Sequence, residues 1–343
     1  MSDNTETYDA VLLLSFGGPE ARDDVIPFLE NVLRGRNVPH QRMLAVAEHY
    51  FEFDGVSPLN GQNRALIAAL EAELKRCDIN LPVYWANRNW HPLLENTLIR
   101  MRDDGVRRAL GFFTSAYSSY SGCRQYLENI EVARERVGEG VPVVEKLRFF
   151  YNHPGFVEPM AEHLREAMDR VPSERRTGTR VVFTAHSLPA QMASDCDYEA
   201  QLKETSALVS QVAGISNWDI VYQSRSGPPT QPWLGPDVGS HLEALHRDSA
   251  ITDVVIAPIG FISDHMEVVY DLDVEARTLC NSIGLNMIRT ATVGTHPRFV
   301  SMIRELIQER LNDDPVRLSL GSNGPSRDHC PADCCIGSRQ RSA

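Results

Sequence analysis

Short apolar runs recur along this chain, and each is followed by a turn and then by a stretch with helical periodicity. Residues 8–16, YDAVLLLSF, stop at Gly17-Gly18-Pro19 and read as a buried strand with a tight turn after it. VRRALGFF (106–113), RVVFTA (180–185), DIVYQS (219–224) and DVVIAPIG (253–260) repeat the pattern. Residues 61–76, 122–136, 159–169, 198–212, 236–247 and 296–312 read as the intervening helices. Strands separated by helices pair in parallel, because each helix carries the chain back across a sheet face to the end where the previous strand began. The alternation occurs on both sides of FYNHPG, at 150–155. The expected fold is α/β, with two Rossmann-like doubly wound parallel-sheet domains. Ligands of such sheets sit in a cleft at the C-terminal ends of the strands. The expected boundaries are 1–150 for the first domain, 151–312 for the second, and 313–343 for a tail.

A chain of 343 residues suits about two domains. With 42% hydrophobic and 23% charged residues it is globular in composition. No apolar run approaches the roughly 20 residues that span a bilayer. The opening MSDNTETYDAV has neither a basic region nor an apolar segment of a signal peptide, so the expected location is the cytoplasm. The net charge of −12 argues against nucleic-acid binding, since phosphate backbones select basic surfaces. An acidic balance suits a cationic partner or a metal, and it also serves solubility. Seven cysteines, an odd number, argue against a disulfide framework.

Two features lie just past strand ends. His186 follows FTA and precedes Ser187-Leu188-Pro189. SDHMEVVYDLDVEAR (263–277) follows API and carries Glu267, Asp271 and Glu275 at four-residue spacing. On an α-helix that spacing stacks three like charges on one face, at a cost to the helix. The column is either a solvated face or a path for a cation or protons.

FTAHSLP, the WLGP of QPWLGPDV and PIGFISDHMEVVYDLD together resemble the ferrochelatase family, and LLLSFGGPE, the RGR at 34–36 and GVSPLNGQNR agree with it. The resemblance runs from about residue 8 to residue 312. The cysteine-bearing tail and the SFGGPE variant are most similar to actinobacterial-type members, which insert Fe2+ into coproporphyrin III to make coproheme. The resemblance implies two Rossmann-like lobes with a porphyrin cleft between them. It implies a catalytic pair, His186 and Glu267, which would also meet the substrate Fe2+. Asp271 and Glu275 would continue as a relay or hold a second hydrated cation such as Mg2+.

The chemistry explains these residue types. Metal insertion removes two pyrrole protons and strips water from Fe2+, and the ring must bend to expose its nitrogen lone pairs. A neutral imidazole accepts a proton or ligates a borderline metal, so His186 suits either role. The substrate is anionic through its propionates, four in coproporphyrin and two in protoporphyrin. Arg34 and Arg36 suit bidentate carboxylate contacts. Ser57 and Tyr126 would add hydrogen bonds, and Phe16, Tyr117, Tyr120 and Trp233 would wall the ring, although core packing is the ordinary job of an aromatic. Some related chelatases carry a tyrosine over the metal where this chain has Phe16, which cannot ligate.

The end reads DHCPADCCIGSRQRSA, and its three cysteines crowd the last fourteen residues. The resemblance assigns Cys123, Cys330, Cys334 and Cys335 to a [2Fe–2S] cluster. Zinc on three cysteines and His329 is the alternative metal site, and a redox-active tail is the third reading. Cys77, Cys196 and Cys280 read as incidental thiols. Rival functions are a protoporphyrin IX ferrochelatase, a haem or porphyrin carrier without chemistry, and an iron–sulfur redox protein. A cobalt or sirohydrochlorin chelatase agrees less well with WLGP and SDHxE. The expected partners are the porphyrin, Fe2+ and a downstream haem-pathway enzyme.

Overall fold

Strand β1 (Ala10–Ser15) is AVLLLS, buried at every position, and it lies inside a sheet rather than at an edge. A computed structural model of the chain describes residues 7–36, 38–227, 230–248, 251–331 and 334–335. In it β1 pairs in parallel with β2 (Val83–Asn87) and β3 (Arg108–Phe113), with Val11 opposite both Val83 and Leu110. Strand β4 (Val143–Lys146) completes the order β2-β1-β3-β4. The second sheet repeats this with β5 (Arg180–His186), β6 (Trp218–Gln223), β7 (Asp253–Ala257) and β8 (Asn286–Arg289), in the order β6-β5-β7-β8. Every pairing is parallel, and Val182 stands opposite Asp219 and Ile256. The two halves therefore share one doubly wound order, as the alternation predicts. Each reverses direction between its first and third strands, where such sheets take ligands.

Helices α1 (Val25–Leu33), α2 (His40–Phe51), α3 (Leu59–Arg76), α4 (Leu94–Asp103) and α5 (Gln125–Val137) fall among the strands of the first sheet along the chain. Helices α6 (Pro154–Asp169), α7 (Ala190–Ala193), α8 (Tyr198–Ala213), α9 (Val238–His246), α10 (Met266–Val268), α11 (Arg277–Ile283) and α12 (Pro297–Leu311) follow. Local chemistry sets their ends. Helix α6 opens with proline in its first turn, and the His153 ring accepts from the Gly155 amide at 3.0 Å. Helix α8 stops at Gly214, whose φ of +76° favours glycine.

The sheets divide between Lys146 and Arg180, but the packing does not. One apolar cluster runs from Val11 and Phe112 through Phe150, Phe156 and Phe299 to Phe183 and Val255. Phe150 stacks on Phe112 at 5.4 Å and meets Phe299 of α12 at 5.8 Å. Helix α12 is also tied to α3, where Glu73 accepts from Arg304 Nε at 2.9 Å and Ser301 Oγ at 3.2 Å. Beyond α12 the chain stays on the body. Arg148, buried, forks onto Glu309 at 2.6 and 2.7 Å and donates to Leu318 O, and Asn152 donates to Leu320 O and Gly324 O. Among the described residues no helix is long and apolar enough to cross a membrane.

The segment carrying the acidic column departs from the expected α-helix. After α10 the chain runs as a π-helix over Val269–Ala276 before α11. Wider turns of this kind are rare and gather at functional sites.

Candidate active site

Strand β5 ends on His186, and the loop after its neighbour β7 turns back toward that end. The turn depends on Gly260. A Cβ there would stand 2.6 Å from Ala185 Cβ and 2.7 Å from Ala185 Cα, so only glycine lets the loop cross β5 so closely. The loop then delivers Glu267 to His186, with Nε2 and Oε2 3.6 Å apart. His186 Nδ1 lies 2.6 Å from Ser187 O, which can only accept, so Nδ1 carries the hydrogen and Nε2 presents a lone pair. Two acceptors thus face each other slightly beyond hydrogen-bond length, and they remain 34% and 49% exposed. That arrangement attracts a proton or a metal cation.

The neighbours hold this geometry. Asp264 takes a bidentate contact from Arg289 at 3.0 and 3.1 Å, and its amide donates to Gln62 of α3. Met266 inserts into an apolar cluster of Val25, Phe28, Met43 and Tyr50 from α1 and α2. The His49 ring stacks on Tyr270 at 3.7 Å and 7°. Helices of the first half thereby brace the acidic segment of the second. His265 lies beside His186, and burial holds its imidazole down at about 4, so it stays neutral.

Asp271 and Glu275 follow Glu267 along the same segment, with Asp271 partly buried and Glu275 exposed. Asp271 accepts from Gln223 Nε2 at 3.0 Å and from Ser224 Oγ. Burial, helped by the Glu267 charge and opposed by these donors, pushes its carboxyl up to about 6. Glu275 is raised by burial and by Asp271, against the pull of His49.

The other expected contacts divide. Phe16 follows β1 as His186 ends β5, stays partly exposed, and meets Phe28 edge-on at 6.2 Å. Arg34 and Arg36 are exposed after α1, and Arg34 is bound to Asn31. Tyr126 is buried against Phe113, with the Arg88 guanidinium 4.5 Å above its ring. Tyr120 lies in a π-helical turn (Tyr120–Arg124) and donates to Glu128 at 3.0 Å. Trp233 is half-buried against Gly227. Tyr117 and Ser57 do not line an open wall. Tyr117 is 1% exposed and donates to Ile259 O at 2.9 Å, because its position between Phe156 and Tyr198 belongs to the shared core. Ser57 is buried against Gly18, which has no side chain to hold it off.

Arg88 is the residue that sequence reasoning missed. Burial lowers its proton affinity, and Arg36 is close enough to lower it further. Its Nε donates to Asn129 at 2.7 Å, so its partners are neutral. It follows β2, an edge strand that the sequence pattern does not reveal, so no local signal pointed to it.

The cysteines also gather. Cys123 is buried, and its thiol is pushed up to about 11 by burial with Cys330 and Cys334 close by. Cys334 Sγ lies 3.4 Å from Cys335 Sγ. Cys335 in turn shares a thiol hydrogen bond with Cys196, a residue that the sequence reading set aside. His329 is exposed. Among the described residues no three or more His, Cys, Asp or Glu side chains are arranged to hold a single metal ion.

Comparison with known proteins identifies the family. Residues 8–311 match the family described as Ferrochelatase. The chain belongs to the ferrochelatase family. A ferrochelatase of Rhodopirellula baltica is 55% identical over 97% of this chain and 95% of its own length. A coproporphyrin III ferrochelatase of Streptomyces coelicolor is 46% identical over 98% and 95%. One from Mycolicibacterium smegmatis is 50% identical over 91% and 92%. The ferrochelatase fold is similar to that of SirB from Bacillus subtilis with Fe3+, with a TM-score of 0.58 and 12% identity over 89% of this chain and 96% of that one.

Proposed function

We propose that this ferrochelatase inserts Fe2+ into coproporphyrin III and releases two protons. The carrying observation is the pair of acceptors, His186 Nε2 and Glu267 Oε2, 3.6 Å apart at neighbouring strand ends. A pyrrole N–H meets an imidazole whose free nitrogen is set by the Ser187 carbonyl, so His186 takes a proton. Glu267 faces the same point and stabilises the positive charge that passes there, whether proton or Fe2+. Asp271, with a carboxyl at about 6, gains and loses a proton near neutral pH and so suits the next step of a relay toward Glu275. The same carboxylates suit a hydrated divalent cation such as Mg2+.

Two observations support the tetracarboxylate substrate. Arg88 lies 5.9 Å from the Phe16 ring, and Arg36 is close enough to Arg88 to affect its charge, so positive charge gathers beside Phe16. Relatives named coproporphyrin III ferrochelatases match nearly the whole chain. Anaerobic Fe2+ insertion with the purified protein, comparing coproporphyrin III with protoporphyrin IX, tests the reading. Faster coproporphyrin turnover is expected. Preference for protoporphyrin overturns the substrate, and tight porphyrin binding without turnover favours a carrier.

We also propose a [2Fe–2S] cluster on Cys123, Cys330, Cys334 and Cys335. The soft donor set supports it, as do the 3.4 Å spacing of Cys334 and Cys335 and the charge reaching Cys123 from Cys330 and Cys334. Such a cluster would accept or donate single electrons. Iron and acid-labile sulfide in anaerobically isolated protein test it, and their absence overturns it.

A further inference from the structure

Arg289 ends β8, opposite Ile256 of β7, and so stands beside the loop that carries Glu267. Its guanidinium holds two carboxylates at once. Nη1 and Nη2 donate to Asp264 at 3.0 and 3.1 Å, and Nε and Nη2 reach Asp273 at 2.9 and 2.8 Å. All three side chains are largely shielded from water. Asp264 precedes Glu267 in the loop, and Asp273 follows it in the π-helical stretch Val269–Ala276. One planar fork therefore ties the entry of this segment to its middle, with Glu267 and Asp271 between the two ties. The other contacts of the two aspartates are longer or neutral. Arg277 reaches Asp273 at 3.4 Å, and the Asp264 amide donates to Gln62 at 2.9 Å. Both carboxylates share Nη2, so without the guanidinium two partly buried like charges would stand close together, and the segment would open.

We infer that Arg289 is a positioning residue for iron insertion: it closes the stretch from Asp264 to Asp273 into a fixed turn and so sets where Glu267 stands relative to His186. The inference rests on the His186–Glu267 reading of the site. The bonds of Arg289 go to Asp264, Asp273 and Thr290 O, not to the catalytic pair, so it acts through the backbone that it pins. Geometry matters here as well as charge. A lysine ammonium is a point charge and cannot span two carboxylates as a fork does. The pairing also separates two sets of acidic residues. Asp264 and Asp273 are matched by arginines, so the positive species drawn to this segment meets Glu267, Asp271 and Glu275.

The experiment measures kcat and KM for coproporphyrin III in anaerobic Fe2+ insertion by the full chain, with urea unfolding of every variant. Arg289→Met removes the fork and keeps most of the stem, and Arg289→Lys keeps only the charge. Asp264→Asn and Asp273→Asn keep the side-chain shape and each weaken one tie. Arg289→Met and Arg289→Lys are each expected to lower kcat about tenfold or more, as displacement of a catalytic group does, with KM within about threefold of wild type. Asp273→Asn is expected to lower kcat alone and to add no further loss to Arg289→Met, because both break the same tie. Wild-type kcat in folded Arg289→Met overturns the inference, as does wild-type kcat in both asparagine variants should the methionine variant not fold. Full kcat in Arg289→Lys also overturns it, since charge without the fork would then suffice, and so does a change confined to KM. Glu267→Gln separates the two levels of the argument. Wild-type turnover in that variant sinks the His186–Glu267 reading, whereas slow Glu267→Gln beside wild-type Arg289→Met sinks only the role given to Arg289.

Discussion

His186 Nε2, at the end of β5, faces Glu267 Oε2, in α10 beyond β7, at 3.6 Å. His186→Ala removes the proton acceptor, and Glu267→Gln keeps the shape while removing the charge. Each is expected to lower iron insertion by about 10²–10⁴-fold, while porphyrin affinity, read by fluorescence quenching, changes only a few-fold. Insertion within tenfold of wild type would exclude this pair as the centre of the chemistry.

Gly260→Ala tests the positioning. Its methyl must displace either Ala185 or the β7 loop, because the nearest atoms include backbone at 2.7 Å. A cost of about 1–3 kcal/mol in unfolding free energy is expected from such overpacking. Displacing the loop would move Glu267 away from His186, and a shift of about 1 Å lowers kcat by about 10²-fold. A folded variant with wild-type kcat would show that the crossing does not set the distance.

The rim arginines should separate substrates by charge. Arg36→Ala is expected to raise KM for coproporphyrin III by roughly tenfold, the loss of one charge-assisted hydrogen bond, and to affect protoporphyrin IX less. Arg88→Leu should act the same way, with Tyr126 left unstacked. Equal changes for both porphyrins would place these guanidinium groups away from the propionates.

Glu73 links α3 to α12, and its pH dependence has a definite sign. Arg76 first, then Arg304 and Ser301, lower its carboxyl from 4.5 to about 2. A depressed folded value means that the stabilisation is complete above pH 4.5 and is lost as pH falls toward 2. Glu73→Gln is therefore expected to cost on the order of 2 kcal/mol at pH 7. Urea unfolding should show that difference shrinking between pH 4.5 and pH 2. A difference independent of pH would mean that the link is steric.

Legibility followed burial. Strands β1, β3, β5 and β7 are interior, are covered on both faces, and so read as continuous apolar runs. Strands β2, β4 and β8 escaped the sequence reading, and all three are sheet edges. VYWAN, VVEK and NMIR are short and mixed in polarity, because an edge strand has one flank free of a neighbouring strand. Aromatic residues were the least legible. Tyr117, expected in a ligand wall, and Tyr126, expected to hydrogen-bond the ligand, are both buried. Arg88 sits in a strand-end loop with no pattern to mark it.

The order of residues alone determined that parallel sheets would form, and it placed His186 and the Glu267 segment just beyond strand ends. Those features depend on local periodicity and on motifs, which are properties of neighbours along the chain. Only the tertiary structure decided that β5 and β7 lie side by side, that a loop without a side chain at residue 260 closes the gap, and that Arg148 meets Glu309 161 positions later. Such meetings are set by how helices and sheets pack across long separations, and no local pattern encodes them.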